Sequence, residues 1–126
     1  MNRTLLDSNL IIYAAQPSHD ELRSFIAREV PFVSVVTKVE TLGYPDLDGA
    51  EEQFLTDFFD AASLLPISPP VVAEAIRQRQ QRRLSLGDAF IAGTALSHDL
   101  RLATHNTGDF AWIDDLDVFD PLNVGE

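Results

Sequence analysis

Short apolar, β-branched runs alternate with amphipathic stretches along this chain, and that alternation limits the fold more than any other feature. TLL at Thr4–Leu6, PFVSVV at Pro31–Val36, LLPI at Leu64–Ile67, LRLAT at Leu100–Thr104 and VF at Val118–Phe119 read as strands. The segments between them repeat apolar residues at helical spacing. Leu22, Phe25 and Ile26 share one face of DELRSFIARE, and Phe54, Leu55, Phe58 and Phe59 share one face of EEQFLTDFFDAA. Strands separated by helices pair in parallel, because a helix returns the chain to the same end of the sheet. The expected fold is α/β: a three-layer α/β/α sandwich with a mostly parallel central sheet.

Local signals refine this outline. Ser8 or Asn9 can cap LIIYAA, and Thr37 can cap KVETLG, with Gly43 as its stop. YPDLDG, Tyr44–Gly49, reads as a turn-rich link. Pro66 puts the third strand at an edge or at a strand end. Ser68-Pro69-Pro70 opens one helix, and Ser85 opens another that runs to about Ser97. No repeat, low-complexity tract or long linker divides the 126 residues, so a single domain spanning residues 1–126 is expected.

Composition removes several chemistries. With 0 cysteines there is no disulfide, thiolate zinc site or cysteine nucleophile. No apolar run approaches the ~20 residues that span a bilayer. MNRTLLDSN reaches Asp7 too soon to hold a signal-peptide core, so a cytoplasmic protein without a membrane segment is expected. The formal net charge of -11 opposes nonspecific nucleic-acid binding and suits a basic partner or a metal ion. Positive charge is nevertheless concentrated in RQRQQRR, where Arg77, Arg79, Arg82 and Arg83 supply 4 of the 9 basic residues. That stretch is either a compensating basic patch or a solvated helix face.

In a parallel α/β sheet, ligands gather outside the carboxyl ends of the strands. Most of the 20 acidic residues, such as Glu21, Glu29, Glu51, Glu52, Asp57, Asp60 and Glu74, fall on polar helix faces or in loops. Four fall elsewhere. Asp7 follows the first strand, Glu40 lies in the first turns of the helix after the second, Asp88 opens the SLGDAF helix, and Asp109 follows LRLAT after a short loop. Each has a plain alternative. Asp7 can be a helix cap, Glu40 a solvated helix residue, Asp88 part of a Ser85-x-x-Asp88 capping box, and Asp109 a loop acid. Those alternatives do not explain why all four fall on one expected edge. Two like charges ~4 Å apart repel by about 4 kcal/mol at an effective dielectric of ~20. Protons or a cation must offset such repulsion, and an oxygen-only donor set favours a hard ion such as Mg²⁺ or Mn²⁺.

LLDSNLIIY, VVTKVETLGY, SLGDAFIAGTAL and LATHNTGDF, in that order, resemble the four motifs of the PIN-domain ribonucleases, and among them the VapC-type toxins of toxin–antitoxin pairs. The resemblance runs from Leu5 to about Pro121. It implies a PIN-like fold and a Mg²⁺- or Mn²⁺-dependent endoribonuclease that leaves a 5′ phosphate and a 3′ hydroxyl. It also implies that Asp7, Glu40, Asp88 and Asp109 hold the metal or its waters. Ser8 and Asn9 would support the first acid, and Thr104 and Asn106 would orient water, the fourth acid or a substrate phosphate. A homodimer is implied, held inactive by a cognate antitoxin that places a basic side chain among the acids. One departure is His105, in THN, where the family commonly has arginine; an exposed loop residue is expected there.

Two other readings fit this size and layering less well. A phosphoacceptor receiver domain needs clustered acids after the first strand and a late lysine, yet only Asp7 stands there and the sole lysine is Lys38. A haloacid-dehalogenase-like phosphatase needs Asp-x-Asp, and the chain has Asp7-Ser8-Asn9. A PIN-like module that binds RNA or protein without cutting stays open at this point.

Overall fold

The computed structural model describes residues 3–123, built on a sheet of 5 parallel strands in the order β3-β2-β1-β4-β5. The strands are Thr4–Leu6 (β1), Phe32–Ser34 (β2), Ser63–Leu65 (β3), Arg101–Ala103 (β4) and Val118–Phe119 (β5). The α-helices are Ser8–Ala14 (α1), Asp20–Glu29 (α2), Val35–Leu42 (α3), Gly49–Ala61 (α4), Pro69–Gln81 (α5) and Leu86–Ser97 (α6).

Successive strand residues point to opposite faces, and both faces are apolar. Leu6, Val33 and Ala103 enter one core with Leu10 and Ile11 of α1, Leu22 and Phe25 of α2, and Leu55 and Phe59 of α4. Leu5 and Leu102 enter the other with Ile91, Ala92 and Ala95 of α6 and with Phe110, Ile113 and Leu116. Burying each such large aliphatic side chain contributes roughly 1.5–3 kcal/mol. The three layers expected from the alternation are therefore present. Among the described residues, no helix is long and apolar enough to cross a membrane.

Helix starts differ from expectation in an instructive way. The β-branched run was expected to stay extended to Val36, but the strand stops at Ser34. Ser34 Oγ accepts from Val36 N at 3.0 Å and caps α3, so Val35 and Val36 are helical and Thr37 is buried inside the helix rather than at its cap. Asp7, not Ser8 or Asn9, is the N-cap of α1. Asp48 and Glu51 form a reciprocal capping box that starts α4 at Gly49, inside the segment read as a turn. The third strand is Ser63–Leu65, and it lies at the sheet edge just before Pro66, as the proline requires.

Strand order and one helix contact position the acids. The chain leaves β1, adds β2 and β3 on one side, then crosses to place β4 and β5 on the other. This order makes β1 and β4 the switch point, and a crevice opens beyond their carboxyl ends. The helix contact is made at Gly93. A Cβ there would lie 2.7 Å from Val71 O and 3.0 Å from Ala75 N, so only glycine lets α6 touch the backbone of α5. The contact of α6 with the sheet is made by Ile91, Ala92 and Ala95.

Candidate metal centre

Leu6 and Ala103 are partners in the β1–β4 register, so the residues that come after them, Asp7 and Thr104, leave the sheet side by side. Asp7 N donates to Ala103 O at 2.9 Å. Thr104 Oγ1 donates to Asp7 Oδ2 at 2.7 Å, and Ser8 N donates to Asp7 Oδ1 at 2.8 Å. Both carboxylate oxygens are thus held, yet Asp7 is only 6% exposed. Burial pushes its carboxyl up to about 6; the bonds from Thr104 and Ser8 oppose the rise, and the charges of Asp88 and Glu40 add to it.

Glu40 comes from the last turn of α3, not its first turns. Ser8 Oγ donates to Glu40 Oε1 at 2.7 Å and lies 3.1 Å from Thr37 Oγ1. One serine therefore supports two acids, through its amide and its hydroxyl. Gly87 in α6 faces the same carboxylate closely: a Cβ there would come within 2.4 Å of Glu40 Oε2.

Asp88 sits in the first turn of α6. Ser85 Oγ accepts from Asp88 N at 3.1 Å, so the serine caps the helix. The return bond from an acid to the cap amide is made in α4 but not here. The Asp88 carboxylate is half-buried, and its pKa is raised by that burial, then by the charge of Asp109. The Ser85 hydroxyl lowers it, and Glu40 raises it again. Asp109 ends a 3-10 turn, Thr107–Asp109, and is exposed. Its backbone carbonyl accepts from Trp112 Nε1 at 2.9 Å.

The supporting residues divide. Thr104 Oγ1 accepts from Asn106 N at 3.0 Å, so the loop after β4 is tied to the hydroxyl that holds Asp7. Asn9 Oδ1 accepts from His105 N at a long 3.5 Å. His105 is exposed, as expected, and its Nδ1 lies 2.9 Å from Asp120 Oδ2.

The charges of Asp109 and Glu40 thus act on Asp88, and those of Asp88 and Glu40 act on Asp7. Among the described residues, no three acid or histidine side chains already meet at metal-chelating geometry. The donor set fits a divalent ion all the same. It is all oxygen, Asp7 is buried and Asp88 half-buried, and Mg²⁺ typically takes one or two carboxylates and keeps several waters.

The four arginines do not share one kind of partner. Arg77 pairs with Glu74 at 2.6 Å, and Arg79 Nε donates to Leu84 O at 3.1 Å. Arg82 lies over the Trp112 ring, 5.4 Å from its centroid. Sequence reasoning passed over Trp112 and Gly87 and took Thr37 only as a helix cap; the one signal available was a lone tryptophan three residues after Asp109. Beside Glu40, an aliphatic concavity of about 360 Å³ is lined by Val35, Val39, Ile67, Leu86 and Phe90.

An α/β protein with an acid pocket at the switch point of a parallel sheet is the class that this geometry defines. The chain matches the PIN domain family over residues 4–116 and belongs to it. It is 30% identical to Toxin FitB of Neisseria gonorrhoeae over 136 aligned positions, covering 93% of this chain and 96% of the relative. A toxin–antitoxin complex from Klebsiella pneumoniae is similar at 27% identity and a TM-score of 0.73, over 94% of this chain and 97% of that one. A DNA-bound VapBC from Salmonella typhimurium shares the fold, with a TM-score of 0.81 at 21% identity, over 96% and 99% of the two chains.

Proposed function

We propose that this PIN-domain protein is a Mg²⁺- or Mn²⁺-dependent endoribonuclease and the toxin of a type II toxin–antitoxin pair. The observation that carries the reading is the repulsion among Asp7, Glu40, Asp88 and Asp109, with Asp7 and Asp88 both raised by burial. A site that stores unfavourable charge is a functional candidate, because a fold without a use for it gains by removing it. Asp7, Glu40, Asp88 and Asp109 would hold the ion or its waters. When bound, such an ion activates water and offsets charge on a phosphate.

The chain's own groups set the geometry. Thr104 and Ser8 fix the orientation of the Asp7 carboxylate, and Ser8 ties Glu40 to the same position. Gly87 keeps α6 close enough for Asp88 to face Glu40. Asn106 lies on the loop bonded to Thr104, at the place where a substrate phosphate enters. Arg82 and Arg83, with Arg77 and Arg79 behind them, supply the positive flank that a chain of net charge -11 needs for RNA.

A cognate antitoxin is the protein partner of this reading, with a basic segment seated among the acids. The similarity to Toxin FitB and to a toxin–antitoxin complex supports that pairing. The working form is a homodimer in the cytoplasm. Val39 and Leu86, 69% and 57% exposed beside Glu40, are the apolar surface that supports self-association, and sedimentation should give twice the chain mass.

The experiment is a cleavage assay on protein purified free of antitoxin. RNA should be cut with added Mg²⁺ or Mn²⁺ and spared in chelator. Asp88→Asn should abolish cutting while the melting temperature holds or rises. A variant that cuts as well as its parent would overturn the role of Asp88. A folded parent that binds RNA but never cuts it would support a non-cleaving PIN module instead.

A further inference from the structure

The arginine stretch and the lone tryptophan meet at the rim of the acid pocket, where Asp88 and Asp109 also stand. A cavity of about 180 Å³ adjoins the acids, lined by Arg82, Arg83, Ser85, Asp88, Asp109 and Trp112. Its lining carries both signs of charge, negative from Asp88 and Asp109 and positive from Arg82 and Arg83. Of the four arginines, Arg77 and Arg79 are committed to Glu74 and to the Leu84 carbonyl. Among the described residues, Arg82 and Arg83 make no ion pair with any carboxylate, although acids share their cavity. Arg82 instead lies over the indole of Trp112.

That indole is fixed in place. Trp112 packs partly buried against both the α6 core and the Ala75–Leu84–Ala89 cluster, and its Nε1 donates to Asp109 O. One bond therefore ties the ring's position to a residue of the acid pocket. Arg82 and Arg83 lie in the short link between the end of α5 at Gln81 and the Ser85 cap of α6, so few residues separate them from Asp88. The cavity is small beside the ~300–1,000 Å³ of a small-molecule pocket. A flat ring, a guanidinium plane and free cationic charge next to a phosphate-handling site match the chemistry of a single unstacked nucleotide.

We infer that Arg82, Arg83 and Trp112 form a subsite for the nucleotide flanking the scissile phosphate. Its base stacks on the Arg82–Trp112 surface, and its phosphate is neutralised by the two arginines. The assignment rests on the nuclease reading for the position of the scissile phosphate, but binding at the subsite needs no metal. It also separates the stretch RQRQQRR into two structural arginines and two ligand-binding ones.

The only tryptophan of the chain is the probe. A ten-nucleotide single-stranded RNA of mixed sequence, titrated in chelator, should quench Trp112 emission saturably, and excess salt should reverse the quench. Arg82→Ala with Arg83→Ala should weaken binding by roughly tenfold or more and reduce the salt dependence. Trp112→Phe retains a ring in the packed position; followed by labelled RNA, it should weaken binding less than the arginine pair. In the cleavage assay both variants should raise KM more than they lower kcat. A quench with no cutting under any metal would keep the subsite and remove the nuclease reading. Cutting with unchanged KM in both variants, or no quench on binding, would remove the subsite and leave the nuclease reading intact. Binding of an acidic peptide with equal quench and no response to RNA would assign the cavity to a protein partner and overturn the proposal.

Discussion

Replacing Asp7 with asparagine should make this protein more stable at neutral pH. Its carboxyl is raised from an ordinary value of 3.8 to about 6, chiefly by burial. A raised acid binds its proton more tightly in the folded state than in the unfolded one. Its stabilising contribution is therefore complete below pH 3.8 and is lost as pH climbs through about 6. At about 1.4 kcal/mol for each tenfold change in proton affinity, ionised Asp7 costs the fold about 3 kcal/mol at pH 7. Asparagine removes that charge and can still accept from Ser8 N with its Oδ1. It loses the carboxylate that accepts from Thr104 Oγ1, a loss of about 1 kcal/mol. The net expectation is a gain of about 1–2 kcal/mol at pH 7. Urea unfolding in chelator, run in parallel at pH 7 and pH 4, measures it. The variant should exceed the parent at pH 7 and match it, or fall slightly below, at pH 4. A variant that is destabilised equally at both values would show that Asp7 is only the cap of α1 and carries no stored charge.

Other changes separate site from scaffold. Gly87→Ala adds a Cβ that collides with the free end of the Glu40 side chain, so the carboxylate must move. RNA cutting should fall by roughly tenfold to a hundredfold, since misplacement on this scale costs that much, while helix propensity holds stability level or raises it. Val30 ends α2 with a φ of 46° and is 73% exposed, an uncommon state for a β-branched residue. Val30→Gly should relieve it and stabilise the protein by about 1 kcal/mol without altering cleavage, measured as a shift in thermal midpoint.

Much of the architecture was legible because each strand carries its own evidence of burial. Leu5 and Leu6 are both apolar, which suits a sheet covered on two faces, and the helices between strands forced parallel pairing. The common edge of Asp7, Glu40, Asp88 and Asp109 followed from that alone. Local competition hid the element starts. Val35 and Val36 favour strand by propensity, yet Ser34 offers a helix cap, and the cap prevailed. Asp48 looked like a turn residue because its partner, Glu51, is recognised only when both halves of the box are considered together. The Trp112 cavity was illegible for a different reason. Its two arginines precede Trp112 by about thirty residues, and they meet it because Trp112 packs on the Ala75–Leu84–Ala89 cluster, a long-range contact that no local pattern announces. Sequence showed that Asp7 stood at a strand end; only packing showed that it was buried and raised.

The central claim is that these acids are arranged for a divalent cation, and calorimetric titration with Mn²⁺ tests it most directly. The parent protein, free of antitoxin and RNA, should bind Mn²⁺ saturably and release protons near pH 6, because binding favours the ionised form of Asp7. Asp7→Asn and Asp88→Asn should each remain folded and lose most of that heat. Equal Mn²⁺ binding by the parent and both variants, or none by the folded parent, would contradict the account.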